Sequence, residues 1–151
     1  MPSLTLDQSV RGVKFSALVL IGFGLLTILG TTPTMAGIAD WILRLVMFDF
    51  SPAISVNTPE ERLLCAILGG VISGWGMMVW MMAEGWYRSD PAIAGRTILV
   101  ASSVWFVIDG TGSVLAGAAS NLVPNIGVYL ILVLPVLLYN GHRQAASAQN
   151  V

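Results

Sequence analysis

The sequence has few charged residues and almost none of the side chains that usually build metal or redox centres. Only 10% of its 151 residues are Asp, Glu, Lys or Arg, whereas 56% are hydrophobic and the mean hydropathy is +0.81. Soluble domains carry about 25% charged residues, so this composition indicates a chain whose solvent is lipid. The net charge of -1 argues against a nucleic-acid partner, which would need a basic surface.

Cysteine and histidine each occur once, which excludes further classes of protein. Cys65 alone cannot form an internal disulfide or a CxxC pair. His142 lies near the C-terminus, so a haem held by two histidines between helices is excluded. We therefore predict no metal site and no cofactor, and leave open only a bound lipid, quinone or carotenoid.

Long apolar runs separate the charged residues and predict four membrane spans. A span needs about 20 predominantly apolar residues. The predicted spans cover about residues 15–32, 60–83, 92–118 and 122–140. We predict an all-α fold, an integral membrane four-helix bundle in a single domain, followed by a polar tail at 143–151. The first run also resembles a signal peptide with a cleavage site at Thr34-Met35-Ala36, but we expect it to remain as a span.

The basic residues that flank these runs predict the topology. Five cations would lie on the side of the two termini: Arg11, Lys14, Arg88, Arg96 and Arg143. Only Arg44 and Arg62 would lie on the other side. Because basic residues concentrate on the cytoplasmic side, we expect both termini to be cytoplasmic.

Recognisable start and stop signals flank the predicted helices. The segment Thr58–Glu61 reads as a capping box with proline at the first helical position, and Asp90-Pro91 repeats the proline start. Asn121 is expected to open the fourth helix and Asn140-Gly141 to close it. Pro135 lies inside that helix, where it removes one backbone hydrogen bond.

Residues 36–48 predict a short amphipathic helix at the outer membrane interface, anchored by Trp41. Asp40 and Arg44 are four residues apart on this helix, so we expect them to pair. The helix could cap the bundle or dock a partner. Three aromatic residues are predicted to anchor the opposite interface: Trp86, Tyr87 and Tyr139.

Small residues recur at four-residue spacing in the second and third spans. The rows comprise Ala66, Gly70 and Gly74 in the second span and Gly112 and Ala116 in the third, with Gly69 and Ser73 forming a neighbouring stripe. Such rows let helix backbones approach closely in lipid. We therefore predict that spans two and three pack together, and leave open a role of the rows in oligomerisation.

Methionine and tryptophan residues cluster in the second half of span two. The cluster consists of Met77, Met78, Met81, Met82, Trp75 and Trp80. Methionine is flexible and polarisable, so such residues often fill irregular gaps. The alternative is that Trp75, Trp80 and Met78 hold a hydrophobic ligand.

Asp109 is the only ionisable residue between Thr97 and Ala118, within the stretch VWFVIDGTGSVLAG. A charge at the bilayer centre costs about 2.5–3.5 kcal/mol on insertion scales. No basic residue is expected at that depth, so we predict a protonated Asp109 that bonds to Trp75, Ser73 or Ser113. It could hold helices together, or it could bind a proton, an ion or a polar group of a ligand.

The spans contain no complete set of catalytic residues. One carboxylate is too few for an aspartyl mechanism, and no histidine in the spans could activate a serine. No span lysine could form a Schiff base, and there is no phosphate-binding glycine loop. We therefore predict that the protein is not an enzyme.

Three parts of the sequence resemble those of a known family. They are Leu63–Ala83, Val104–Gly117, and the FDF sequence at 48–50 ahead of the acidic turn at Thr58–Glu61. They resemble a family of small four-span proteins from proteobacterial inner membranes with no known activity. The resemblance implies a bacterial inner-membrane location and a four-helix plan, and it supplies no catalytic residue.

These observations favour an accessory or scaffold subunit that packs against a larger membrane complex. Its partners would be membrane lipids together with other membrane subunits or further copies of the chain. The alternative is a small carrier or binder of a proton, an ion or a hydrophobic cofactor, which would use Asp109 and the Trp75/Trp80/methionine face.

Overall fold

The computed structural model describes residues 4–139 and shows an all-α bundle. Its helices are α1 (Leu6–Leu29), α2 (Ala36–Met47), α3 (Pro59–Glu84), α4 (Trp86–Ser89), α5 (Pro91–Leu115), a 3-10 turn (Ala119–Asn121) and α6 (Leu122–Leu137). Four stretches are long and apolar enough to cross a membrane: Leu6–Leu29, Pro59–Ser89, Pro91–Leu115 and Ala119–Leu137. The predicted all-α fold with four apolar helices is confirmed.

Some predictions concern residues outside the described part of the chain. These are the stop signal at Asn140-Gly141, the tail at 143–151 that includes Arg143, and His142.

The helix starts follow the capping signals. The Thr58 hydroxyl accepts the backbone N–H of Glu61 at 3.2 Å, and the Glu61 carboxylate accepts that of Thr58 at 2.9 Å. The Asp90 carboxylate accepts the N–H of Ile93 at 3.0 Å, so both predicted caps are confirmed.

Helix α1 begins at Leu6, well before the predicted start at residue 15. Thr5 and Gln8 form a capping box there, in which the Thr5 N–H donates to the Gln8 side chain at 2.9 Å. Arg11 and Lys14 are therefore helical. The helix therefore extends beyond the predicted span at 15–32 toward the N-terminus, because cations near the polar end of a span do not interrupt its helix.

Helix α1 is the central element of the bundle, since it packs along α3 and also against α6. Helix α5 packs mainly against α6. The antiparallel helices place Leu4 and Tyr139 together, and the Leu4 N–H donates to the Leu138 carbonyl at 2.8 Å. We call this end of the bundle the termini end, and the opposite end, which carries α2, the α2 end.

The prediction that spans two and three pack through their small-residue rows is wrong. A Cβ atom added to Gly70, Gly74 or Gly112 would meet nothing within 4 Å, and Ala116 is exposed. Ala66 is half-buried. The rows face outward because the neighbouring stripe of α3 is the one that packs inward.

That neighbouring stripe packs against α1 at backbone distance. A Cβ atom on Gly69 would lie 2.6 Å from the carbonyl oxygen of Gly24, and one on Gly76 would lie 2.9 Å from that of Ala17. Only glycine permits this approach of two helix backbones. The closest helix pair is therefore α1 with α3.

The buried apolar core lies in the half of the bundle near the termini end. Its members are Val10, Val13, Ala17 and Leu20 of α1, Val79 and Ala83 of α3, Tyr87 of α4, Ala94 and Ile98 of α5, and Leu132, Val133 and Val136 of α6. All four long helices and α4 meet there.

Pro135 lies in α6, and side chains of α1 compensate for the backbone hydrogen bond that it removes. The Ile131 carbonyl would normally accept the N–H of residue 135, which proline lacks. The Ser16 hydroxyl donates to this carbonyl at 2.6 Å, and the Ser9 hydroxyl donates to the Pro135 carbonyl at 2.6 Å. Gly12 leaves room for the proline ring, since its Cβ would lie 2.7 Å from Pro135 Cβ.

Helix α2 and the segment after it close the other end of the bundle. Asp40 accepts the backbone N–H of Val56 at 2.8 Å, and Arg44 Nε donates to the carbonyl of Ile54 at 2.9 Å. The expected Asp40–Arg44 pair is thus replaced by two bonds that tie the following segment to α2. The prediction was wrong because unpaired backbone groups of that segment compete for both side chains.

Candidate functional site

Asp109 lies in the half of α5 that is nearer the α2 end. Helix α5 ends at Leu115, which places Asp109 about 9 Å from the helix end at 1.5 Å per residue. Its side chain is half-buried.

Two asparagines donate hydrogen bonds to the Asp109 carboxylate. Asn125 Nδ2 donates to Oδ2, and Asn121 Nδ2 donates to the same oxygen at 3.3 Å. Asn121 also donates to the Ser113 hydroxyl at 2.9 Å. We call Asp109, Ser113, Asn121 and Asn125 the polar cluster, and it joins the end of α5 to the start of α6.

The predicted partners of Asp109 are arranged differently. The Trp75 ring packs against Trp105, with centroids 5.3 Å apart, and the buried Ser73 hydroxyl has no hydrogen-bond partner among residues 4–139. Ser73 faces Gly24 of α1. Ser113 reaches Asp109 only through Asn121. These expectations were wrong because α6, not α3, is the neighbour of α5 at this level.

The sequence analysis missed Asn125 and gave Asn121 a different role. Asn121 was expected to cap the fourth helix, but its side chain makes no capping bond. Asn125 is only 7% exposed. A signal was present, since Asn121 and Asn125 are four residues apart and therefore share a face at the start of an otherwise apolar helix.

The methionine–tryptophan face is not one continuous surface. Met77, Met78 and Met81 are exposed, whereas Met82 packs against the core. Trp80 is half-buried, and Lys14 Nζ lies 4.1 Å from its ring centroid. The candidate ligand residues Trp80 and Met78 therefore lie on different faces of α3, and both are distant in the chain from the polar cluster.

An open apolar groove lies between the end of α5 and the start of α6, and none of the four polar-cluster residues is among those that line it. Its lining includes Phe106, Val107, Gly110 and Leu122. A Cβ atom on Gly110 would lie 2.9 Å from the Leu122 side chain, so this glycine lets α6 approach α5 closely. The polar cluster can hold the end of α5 and the start of α6 together.

The predicted aromatic anchors divide into exposed and buried residues. Trp41 and Trp86 are 59% and 43% exposed, as an interfacial anchor requires. Tyr87 is fully buried, and its hydroxyl donates to Ser9 Oγ at 2.8 Å because the Ser9 proton is used by Pro135. Tyr139 is half-buried with its ring 6.3 Å from that of Tyr87. Tyr87 was misassigned because α4 turns it inward.

Charged side chains at the termini end form a connected network. Lys14 pairs with Glu84, and Arg88 bonds Asp7 at 2.9 Å while approaching Glu84 to 3.9 Å. Arg11 Nε donates to the backbone carbonyl of Asp7 at 3.3 Å. These pairs link α1 to α3 and α4.

Within residues 4–139, no three His, Cys, Asp or Glu side chains are grouped so that they could hold a metal ion. No protein-family model matches the chain, and the comparisons with curated proteins and with solved structures give no match either.

Proposed function

We propose that the protein is a non-enzymatic accessory or scaffold subunit that docks through α3 onto a larger complex of a bacterial inner membrane. The observation that carries this proposal is an outward-facing row of small residues on α3, namely Ala66, Gly70 and Gly74, which we call the outer glycine row. A Cβ atom on either glycine would meet nothing within 4 Å. The row is thus available to a helix from another chain.

The cost of these glycines supports a docking role. Glycine in the middle of a helix destabilises it by about 0.5–1 kcal/mol relative to alanine. Gly69 offsets that cost through its close contact with α1, whereas Gly70 and Gly74 have no contact of this kind inside the protein. The cost of glycines spaced four residues apart is offset when a second helix packs on them at backbone distance.

The residues around the outer glycine row also suit a helix partner. Leu63, Ile67, Met77 and Met81 are 51–67% exposed along the same side of α3. Helix association in lipid depends on van der Waals contact, which these long side chains can supply on both sides of the glycines. Methionine side chains adapt readily to an irregular partner surface.

The charges at the two ends support an orientation with both termini in the cytoplasm. The described cations at the termini end are Arg11, Lys14, Arg88 and Arg96, against Arg44 and Arg62 at the α2 end. An excess of basic residues is typical of the cytoplasmic side of a membrane protein.

Native purification in mild detergent, followed by native mass spectrometry, tests the docking role. We expect the wild-type chain in a hetero-complex and the Gly70→Leu/Gly74→Leu variant as a folded monomer, because leucine would keep the partner helix away. Gly112→Leu is the matched control, since Gly112 is also an open helix glycine. A wild-type monomer or homodimer, or equal loss of the complex with Gly112→Leu, would contradict the proposal.

A carrier or binder of a proton, an ion or a hydrophobic cofactor is the second candidate, and the polar cluster favours it. Asp109 is half-buried and accepts hydrogen bonds from two asparagine amides, and a polar group of a ligand could replace one of these amides. Asp109→Asn separates the two functions. Loss of a co-purifying quinone or pigment with normal assembly would support binding, whereas loss of stability without loss of any ligand would support a structural role.

A further inference from the structure

Arg96 differs from the other cations of the termini end. Lys14, Arg88 and Arg11 all have partners in the network described above. Arg96 lies on an exposed face of α5 and makes no hydrogen bond or ion pair with any residue from 4 to 139. An exposed, uncompensated guanidinium on an apolar helix is a candidate binding group for an anion.

The position of Arg96 along α5 places it at the edge of the bilayer. From Thr97 to Leu115 the helix rises about 28 Å at 1.5 Å per residue, which matches a hydrocarbon core of about 30 Å. Arg96 immediately precedes this stretch. Its guanidinium therefore lies at the level of the lipid phosphates, and not in bulk water.

An apolar groove adjoins Arg96 on the outer face of α5. It is lined by Ile93, Thr97, Val100 and Ala101 together with Arg96 itself. The Thr97 hydroxyl donates to the Ile93 carbonyl at 3.0 Å, so its polar atom is already satisfied. The surface thus combines a cation with an apolar track beside it, which is the pattern of a phospholipid headgroup and its chain.

We propose that this face of α5 binds a phospholipid of net negative charge, with its phosphate on Arg96 and one acyl chain in the groove. The planar guanidinium donates two parallel hydrogen bonds to phosphate oxygens. Cations at this depth attract anionic lipids.

The surrounding carboxylates explain the preference for an anionic lipid. Asp7 and Glu84 are engaged by Arg88 and Lys14, and Asp90 accepts the N–H of Ile93. Arg96 has no paired carboxylate among residues 4–139, so a headgroup of net negative charge compensates its cation better than a zwitterionic headgroup does.

Native mass spectrometry of the full chain in detergent, titrated with phosphatidylglycerol or with phosphatidylcholine, tests the site. We expect tighter binding of phosphatidylglycerol, and Arg96→Gln should weaken it about five- to tenfold, the effect of one cation near a membrane surface. Arg11→Gln is the matched control, because it removes an exposed cation from the same end without touching the groove. Arg96→Lys should bind phosphatidylglycerol with intermediate affinity, since lysine keeps the positive charge but cannot donate two parallel hydrogen bonds to the phosphate.

Ala101→Trp tests the groove separately, because it fills the track and leaves the guanidinium in place. We expect it to weaken phosphatidylglycerol binding, with helicity by circular dichroism and melting temperature confirming that each variant folds. Equal losses in Arg96→Gln and Arg11→Gln, equal wild-type affinity for the two lipids, or unchanged binding in Ala101→Trp would each overturn the proposal. None of these measurements involves the outer glycine row or a protein partner.

Discussion

The two ends of the bundle are held together in different ways. At the termini end, all four long helices bury apolar side chains around Tyr87, and serine hydroxyls bond the carbonyls near Pro135. At the α2 end, α1 meets α3 at backbone distance through Gly24 and Gly69. There the polar cluster joins α5 to α6.

This difference indicates which interactions stabilise each end of the bundle. In lipid, apolar surface gains little by leaving its solvent, so close packing and hydrogen bonds decide which helices associate. The termini end is stabilised by many side-chain contacts, so the loss of one contact leaves most of the stabilisation in place. The α2 end depends on a few close contacts, so single substitutions there should have larger effects.

Gly24→Ala is expected to have the largest effect. A Cβ atom at Gly24 would lie 2.5 Å from the Gly69 carbonyl oxygen and 2.8 Å from the Ser73 backbone nitrogen. Backbone cannot move aside as a side chain can, so we expect a loss of about 2–3 kcal/mol in the free energy of unfolding, the upper part of the range for overpacking. Reversible unfolding in mixed detergent micelles measures it.

Two further glycines of α1 serve as controls for this substitution. Gly12→Ala would contact the Pro135 ring at 2.7 Å, a side chain at the termini end, and should cost less than Gly24→Ala. Gly22→Ala meets nothing within 4 Å and should be neutral or stabilising by up to about 1 kcal/mol. If Gly12→Ala proved the more damaging change, the comparison between the two ends would be reversed.

Asp109→Leu is expected to have the next largest effect. It removes the acceptor of the Asn125 amide, and a buried unpaired donor costs about 1–3 kcal/mol. A double-mutant cycle of Asp109→Leu with Asn125→Leu measures the coupling between the two side chains. We expect about 0.6–1.7 kcal/mol, the range found for hydrogen bonds between membrane helices.

The same cycle run with Trp75 provides the contrast. The structure places Trp75 against Trp105 and not on Asp109, so Asp109→Leu and Trp75→Phe should be additive. If Asp109 proved to be coupled energetically to Trp75 and not to Asn125, the hydrogen bonds between α5 and α6 would not be what stabilises the α2 end.

Local features of the fold were predictable from the sequence, because their causes are local. The apolar runs identified four long helices, and the capping signals at Thr58 and Asp90 gave the starts of α3 and α5. Even so, the start of α1 was missed, because the Thr5–Gln8 box lies ahead of two cations that suggested a boundary.

The neighbours of each helix could not be predicted in the same way. The outer glycine row and the inward stripe with Gly69 and Gly76 lie on adjacent sides of α3 and have similar composition, so periodicity alone does not say which faces α1. The partners of Asp109 depended on that choice. Because α6 and not α3 lies beside the end of α5, the hydrogen-bond donor to Asp109 is Asn125 and not Trp75.

The smallest expected effect is at the termini end, where Ser16 compensates for Pro135. Ser16→Ala leaves the Ile131 carbonyl without its 2.6 Å hydrogen bond and should cost about 0.5–1.5 kcal/mol. Pro135→Ala restores a backbone N–H at the position that normally serves this carbonyl. In the Pro135→Ala background, Ser16→Ala should therefore cost less than half as much, measured by the same unfolding assay. An undiminished cost would mean that Ser16 stabilises α1 through its 3.0 Å bond to Gly12, and that α6 does not depend on it.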